Sequence, residues 1–265
     1  MNRARGIDVS HHKPIKDYRA LFDSGVSFVG VKTTEGNTFT DPMLLTHSHE
    51  LRKEVDDLKL VIYYHFARSG DPKQQALRFM DKVGPLKSNE RLSLDLEVLP
   101  AFKPNTEPDN DSVLEWMTKF YSEIFEIHGD RRPFIYTSRR IWRMFGDPEW
   151  SMGGDIDLWA PRYNTTNEPA LPAPWKKTGW TIWQWTDGGD TGPEHSTPGV
   201  GRCDANYFRG DETSLDEYMK LVEQRTFEQK VRSLFASISA EQEEKLRDTL
   251  TSTQYAEYEN IRSKI

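Results

Sequence analysis

Arg91-Leu92-Ser93-Leu94-Asp95-Leu96-Glu97-Val98 alternates without a break. Its leucines and Val98 share one face, and Ser93, Asp95 and Glu97 share the other. Period-two alternation predicts a β-strand with two chemically different faces. Two carboxylates on one face would have Cα atoms about 6–7 Å apart by strand rise. That spacing suits two groups acting on one bond, and it equally fits a strand whose polar face is merely solvated. The rest of the chain has to decide between them.

Upstream, Gly6-Ile7-Asp8-Val9-Ser10 reads as a short strand with Asp8 at its far end, either capping the turn His11-His12-Lys13-Pro14 or serving a site. A short helix follows from Asp17 to Asp23, then a strand from Val26 to Lys32 that stops near Glu35. Asp41-Pro42 opens a helix to about Leu58, with Asp41 as its cap. His47 and His49 lie on that helix, two apart and therefore on different faces, so no metal is expected there. Leu60 to Phe66 is a third strand, whose His65 reads as a core histidine satisfied by its neighbours. Asp71 to Val83 is a further helix before the carboxylate strand.

Downstream comes a long Pro/Asn/Asp-rich loop over residues 99–111, a length that is often functional. Ser112 to His128 is an amphipathic helix. Short strands follow at Phe134 to Thr137, Asp157 to Ala160, Trp180 to Trp185 and around Arg202 to Phe208. Trp183 and Trp185 share a face. Strand and helix alternate to about residue 150, and few helices follow. The pattern predicts an α/β fold: an irregular, flattened (β/α) barrel of about eight strands over residues 1–212, with a C-terminal helical appendage over residues 213–265. In such a barrel the leucines of the carboxylate strand pack outward on helices, while Asp95 and Glu97 reach the mouth with Asp8 and Asp204.

The appendage opens with the capping pattern Ser214-x-x-Glu217. It carries a broken apolar stripe through Leu215, Leu221, Val222, Val231, Leu234, Phe235 and Ile238, and Ser239 could start another helix. It is expected either to pack on the barrel or to serve self-association or wall docking.

Composition limits the function. The chain has 265 residues, eight Trp and a net charge of −7, which argues for a globular protein and against a general nucleic-acid binder. Its one cysteine, Cys203, excludes an internal disulfide and a cysteine-based zinc site. No stretch approaches the roughly 18 apolar residues of a membrane span. No secretory signal peptide is read at the N-terminus, so synthesis in the cytoplasm is expected.

Seven short motifs then fall in order: Gly6-Ile7-Asp8-Val9-Ser10, Val31-Lys32-Thr33-Thr34-Glu35-Gly36, Tyr64-His65-Phe66, Asp95-Leu96-Glu97, Leu158-Trp159-Ala160, Trp183-Gln184-Trp185 and Asp204-Ala205-Asn206. The series resembles the family 25 glycoside hydrolases, the Chalaropsis-type lysozymes, many of them phage endolysins. The resemblance spans about residues 5–210. It implies cleavage of the β-1,4 bond between N-acetylmuramic acid and N-acetylglucosamine in bacterial peptidoglycan, with no cofactor and no metal. By motif, Glu97 would be the general acid, Asp95 its ionised partner, and Asp8 and Asp204 would complete the acidic mouth. Lys32, Glu35, Tyr64, Tyr136, Trp159 and Trp183 would bind sugar. Net retention is expected, with the substrate's acetamido group as a candidate nucleophile oriented by Asp95 or Asp204. Ile62 stands where the family usually has Gly, and Thr33 where Ala is common. The implied setting is a phage lysin, released from the host cytoplasm or carried on the virion. A chitinase-like barrel glycosidase and a non-catalytic wall-binding protein are the competing readings.

Overall fold

Leu92, Leu94 and Leu96 are fully buried among Phe79, Val113, Met117 and Phe120, on the outer side of a closed sheet. The computed structural model that shows this describes residues 3–53, 58–97, 110–129, 131–164, 166–237 and 240–264. Val98, the long loop up to residue 109, Ile238 and Ser239 lie outside them, as do the side chains of Val231, Leu234 and Phe235.

The strands are β1 (Arg5–Val9), β2 (Phe28–Glu35), β3 (Phe39–Thr40), β4 (Leu60–Phe66), β5 (Glu90–Asp95), β6 (Phe134–Tyr136), β7 (Asp157–Pro161), β8 (Ile182–Thr186), β9 (Ser196–Thr197), β10 (Gly201–Arg202) and β11 (Asp204–Phe208). The α-helices are α1 (Tyr18–Asp23), α2 (Leu44–Lys53), α3 (Pro72–Val83), α4 (Asn110–His128), α5 (Arg139–Arg143), α6 (Glu212–Ser237), α7 (Ala240–Thr249) and α8 (Ser252–Lys264). Strands β1, β2, β4, β5, β6, β7 and β8 run parallel in that order. Strand β11 closes the ring by pairing antiparallel with both β8 and β1. The result is an eight-stranded mixed barrel, with β3 added at the edge of β2. Among the described residues no helix is long and apolar enough to cross a membrane.

Several boundaries differ from the sequence reading, each for a local reason. Strand β2 runs on to Glu35 because Thr34 and Glu35 pair with β4 on one side and β3 on the other. Strand β5 stops at Asp95. Leu96 still donates its N–H to the Tyr136 carbonyl (2.8 Å), so Glu97 leaves the ladder directly above β6. Asp41 does cap the chain before α2, accepting from the Met43 N–H, and it also holds His11 through that residue's N–H and Nδ1. Helix α6 begins two residues earlier than Ser214, because Asp211 accepts from the Ser214 N–H and hydroxyl. His65 is the core histidine expected. It sits between Thr34 and Gln75 against Phe120, and burial lowers it to about 4.

Inside the barrel, Phe28, Leu60, Ile62, Phe134 and Ile182 form an apolar plug. Ile62, where the resembling family has Gly, simply fills this interior. From below, α6 adds Leu215, Tyr218 and Met219. With Val222, these residues stand at i, i+3, i+4 and i+7, the core stripe of a helix, while Leu221 is exposed. Tyr218 donates its hydroxyl to Asp157, which also holds Arg132. The first turns of α6 therefore form the barrel floor. Burying Leu215, Met219 and Val222 contributes about 1.5–3 kcal/mol each, against a total stability on the order of 5–15 kcal/mol. We expect a chain ending at Gly210 to lose cooperative unfolding, and one ending at Thr226 to keep it, as read by thermal melts. A folded 1–210 fragment would show that the separable part begins earlier.

Candidate active site

Strand alternation brings inner-face residues of all eight barrel strands to one mouth. A cavity of about 190 Å³ opens there, lined by Asp8, Asp95, Glu97 and Asp204 together with Lys32, Tyr64, Tyr136 and Trp159. The four carboxyl groups singled out by sequence thus converge on one space. Asp8 and Asp204 are directly paired across β1 and β11, and Asp95 stands beside Phe66 and Tyr136 in the ladder.

Asp8 does not cap the turn after β1. Its Oδ2 accepts from Gln184 Nε2 (2.9 Å) and Asn206 Nδ2 (2.8 Å). The Gln184 oxygen in turn accepts from the hydroxyls of Tyr136 (2.7 Å) and Tyr163 (3.1 Å), and the Asn206 oxygen from the Trp159 indole (2.8 Å). Both amides are locked in one orientation. Burial, and then the Asp204 carboxylate alongside, push Asp8 up to about 8 in spite of its two donors. At neutral pH Asp8 therefore carries a proton and hydrogen-bonds Asp204.

Asp204 is raised less than Asp8. Loss of hydration raises it, but Lys13 Nζ at 3.0 Å opposes the rise. The same ammonium donates to the Asp187 carbonyl (2.7 Å) and to Asp190 (2.9 Å). Asp187 is itself fixed by the N–H groups of Gly189, Asp190, Thr191 and Gly192 and by the Thr191 hydroxyl; against its loss of hydration, that hydroxyl and the Gly192, Thr191 and Gly189 N–H groups hold it down at about 2. The Gly-rich loop after β8 thus clamps Lys13, and Lys13 clamps Asp204.

Asp95 is buried, and among the described residues its Oδ1 has no hydrogen-bond partner. Burial first, and the Glu97 charge second, hold its carboxyl well above the usual carboxylate range. Glu97 is partly exposed at the rim, and its carboxyl is also raised, by desolvation and then by Asp204. The sequence reading had Asp95 ionised and Glu97 alone protonated. The free mouth instead raises both, Asp95 the more strongly because it lies deeper.

The expected sugar-binding residues divide. Tyr64, Tyr136 and Trp159 form the cavity wall, with Trp159 edge-on to both tyrosines at 6.3 and 5.5 Å between ring centroids. Gly30 makes room for them. A Cβ there would lie 2.6 Å from the Trp159 ring and 2.9 Å from the Asp8 Cβ. Lys32 lines the cavity, whereas Glu35 lies outside its lining and pairs with Lys32 (2.7 Å) and Arg68 (2.7 Å). Trp183 is a correction. It points out of the barrel, packs against Trp180, Tyr207 and Arg3, and donates to the Arg162 carbonyl. Its neighbour Gln184 faces the mouth. The same alternation that placed Asp95 and Glu97 could have selected Gln184 and Asn206. Lys13 and Tyr163 lie in loops, where no period marks them.

A raised carboxyl at the rim, a lysine-paired carboxyl opposite and a buried unpartnered acceptor between aromatic walls are the groups needed to protonate a leaving oxygen and stabilise positive charge at a sugar carbon.

Comparison with known proteins agrees with this chemistry. The family model for Glycosyl hydrolases family 25 matches residues 7–192, more than two thirds of the chain. An N,O-diacetylmuramidase of Arthroderma benhamiae is 28% identical over 198 residues, covering 71% of this chain and 80% of the relative. A family GH25 lysozyme structure from Aspergillus fumigatus superposes with a TM-score of 0.67 at 26% identity, over 82% of this chain and 98% of that one. The bacterial lysozyme from Streptomyces coelicolor shares the fold, with a TM-score of 0.68 at 23% identity over 84% and 99% of the two chains. An acidic mouth assembled from seven ordered motifs, matched along most of its length, places this chain in family 25 of the glycosyl hydrolases, and it is a glycoside hydrolase.

Proposed function

We propose that the protein hydrolyses the glycan backbone of bacterial peptidoglycan, at the β-1,4 bond between N-acetylmuramic acid and N-acetylglucosamine. The observation that carries this reading is the convergence of Asp8, Asp95, Glu97 and Asp204 on one aromatic-walled cavity. Muramidases and lysozymes among its relatives support the substrate class.

In this reading Glu97 gives its proton to the glycosidic oxygen as the C1–O bond breaks. The acetamido oxygen of the same sugar attacks C1, and its N–H meets the unpartnered Oδ1 of Asp95. That hydrogen bond favours the ionised form of Asp95 on substrate binding, leaving the proton with Glu97. Ionised Asp204 stabilises the positive charge at C1. Water, deprotonated by Glu97, then releases the product with net retention. The setting we propose is lysis of a bacterium by a phage. Self-association through α6–α8 and a separate role for residues 213–265 also stand as proposals.

Mass spectrometry of a peptidoglycan digest tests the reading. New reducing ends on muramic acid are expected. Reducing glucosamine ends released from chitin would point to a chitinase-like specificity, and binding to peptidoglycan without turnover to a non-catalytic wall protein.

Lys13 gives a second test. Lys13→Met removes the charge that keeps Asp204 ionised, so the Asp204 carboxyl rises. The acid limb of the pH–rate profile should move to higher pH, with the alkaline limb less affected. An unmoved acid limb would remove Asp204 from the ionised role.

A further inference from the structure

A second depression, of about 270 Å³, lies against the acidic mouth and shares Glu97, Tyr136 and Tyr163 with it. Each space alone falls below the ~300 Å³ of a typical ligand site, so a bound glycan would extend through both, past Glu97. Their charge is opposite. The mouth holds four carboxyl groups, whereas Glu97 is the one acid among the described residues lining the second depression. That depression adds two guanidinium groups, Arg140 from α5 and Arg162 from the segment after β7.

Among the described residues, neither arginine pairs with a carboxylate. Arg162 is nevertheless positioned. Its N–H donates to the Gln184 carbonyl (2.9 Å), its own carbonyl accepts from the Trp183 indole (2.7 Å), and its Nη1 donates to the Glu168 carbonyl (2.7 Å). A backbone carbonyl aims the guanidinium without cancelling its charge.

An uncharged sugar ring does not call for two guanidinium groups without a carboxylate partner among the described residues, and guanidinium groups match carboxylates in geometry and charge. In a peptidoglycan strand the lactyl ether of muramic acid ends in a carboxylate where no peptide is attached, and where one is attached by an amide bond there, the carboxylates are the peptide's own. Resting on the proposed substrate, we infer that the Arg140–Arg162 depression is a subsite for the carboxylate-bearing arm of a muramic acid residue. Both arginines then act as specificity determinants, beside the acid that cleaves the backbone.

The test compares the wild type with Arg140→Ala/Arg162→Ala and with Arg140→Lys/Arg162→Lys. Binding of soluble muramyl dipeptide is measured by calorimetry, independently of turnover. The double alanine variant should bind at least about tenfold more weakly, a loss of about 1.4 kcal/mol, and the lysine pair should recover part of it. Unchanged binding overturns the subsite. Turnover is then followed on three glycans: one with intact peptides, one stripped to free lactyl carboxylates, and one stripped and capped as methylamides. A lower ratio of intact to capped turnover in the alanine variant identifies peptide carboxylates, and a lower ratio of stripped to capped identifies the lactyl group. Equal losses on all three overturn the inference. If the wild type binds the dipeptide through these arginines yet cleaves none of the glycans, the substrate reading fails and the subsite stands.

Discussion

Glu97→Gln leaves the barrel folded and lowers hydrolysis of purified peptidoglycan by at least about 100-fold, the scale of a lost general acid. The fold survives because Glu97 lies beyond the last ladder residue of β5 and is exposed. The hydrolysis fails because an amide of the same shape has no proton to give at the pH where the acid does. Initial rates and a circular dichroism spectrum check both halves. Near-normal turnover by the folded variant would sink the assignment and shift attention to Asp95 as the acid.

Asp95→Asn should impair turnover as severely, yet make the protein more stable at neutral and alkaline pH. In the folded state the Asp95 carboxyl is raised well above its ordinary value, and Asp8 is raised from 3.8 to about 8. The folded protein therefore binds more protons at these positions than the unfolded chain does. By linkage, stability falls as pH rises from the unfolded value through the folded one. For Asp8 that window runs from about pH 4 to about pH 8. A neutral amide at either position does not ionise, so the penalty disappears. One pKa unit is about 1.4 kcal/mol, and each kcal/mol moves the melting temperature of a chain of this size by roughly 2–4 °C. Melts at pH 5 and pH 8 should show the Asp95→Asn advantage growing with pH. A variant less stable than wild type at pH 8 would mean that the buried carboxyl makes a net favourable contact.

These two results would express the same fact about the mouth. Carboxyl groups are held where folding alone would not put them, and the aromatic walls and Gly30 leave them little room for hydration.

Much of this was legible in the chain itself. The alternation of Leu92, Leu94 and Leu96 with Ser93, Asp95 and Glu97 is a local property of an extended backbone, and the structure keeps both faces as read. The four acidic positions, Tyr64, Tyr136 and Trp159 follow from the same rule and from the motif series. Other features depended on closure. Whether Trp183 or Gln184 faces inward is a matter of registering β8 against β11, which alternation alone leaves open by one residue. Lys13 reaches Asp204 only because the loop after β8 folds over it, across 191 residues of sequence. The first turns of α6 become the barrel floor only once the strands leave an open apolar end. The proton on each carboxyl was beyond the sequence for the same reason: it is set by burial and neighbouring charge, which non-local segments supply. The sequence by itself determined that Asp95 and Glu97 share a face apart from their leucines, and the tertiary structure decided which residues of the other strands and loops join them and how far each carboxyl is raised, because alternation is local geometry while register, burial and neighbouring charge come from everything packed around it.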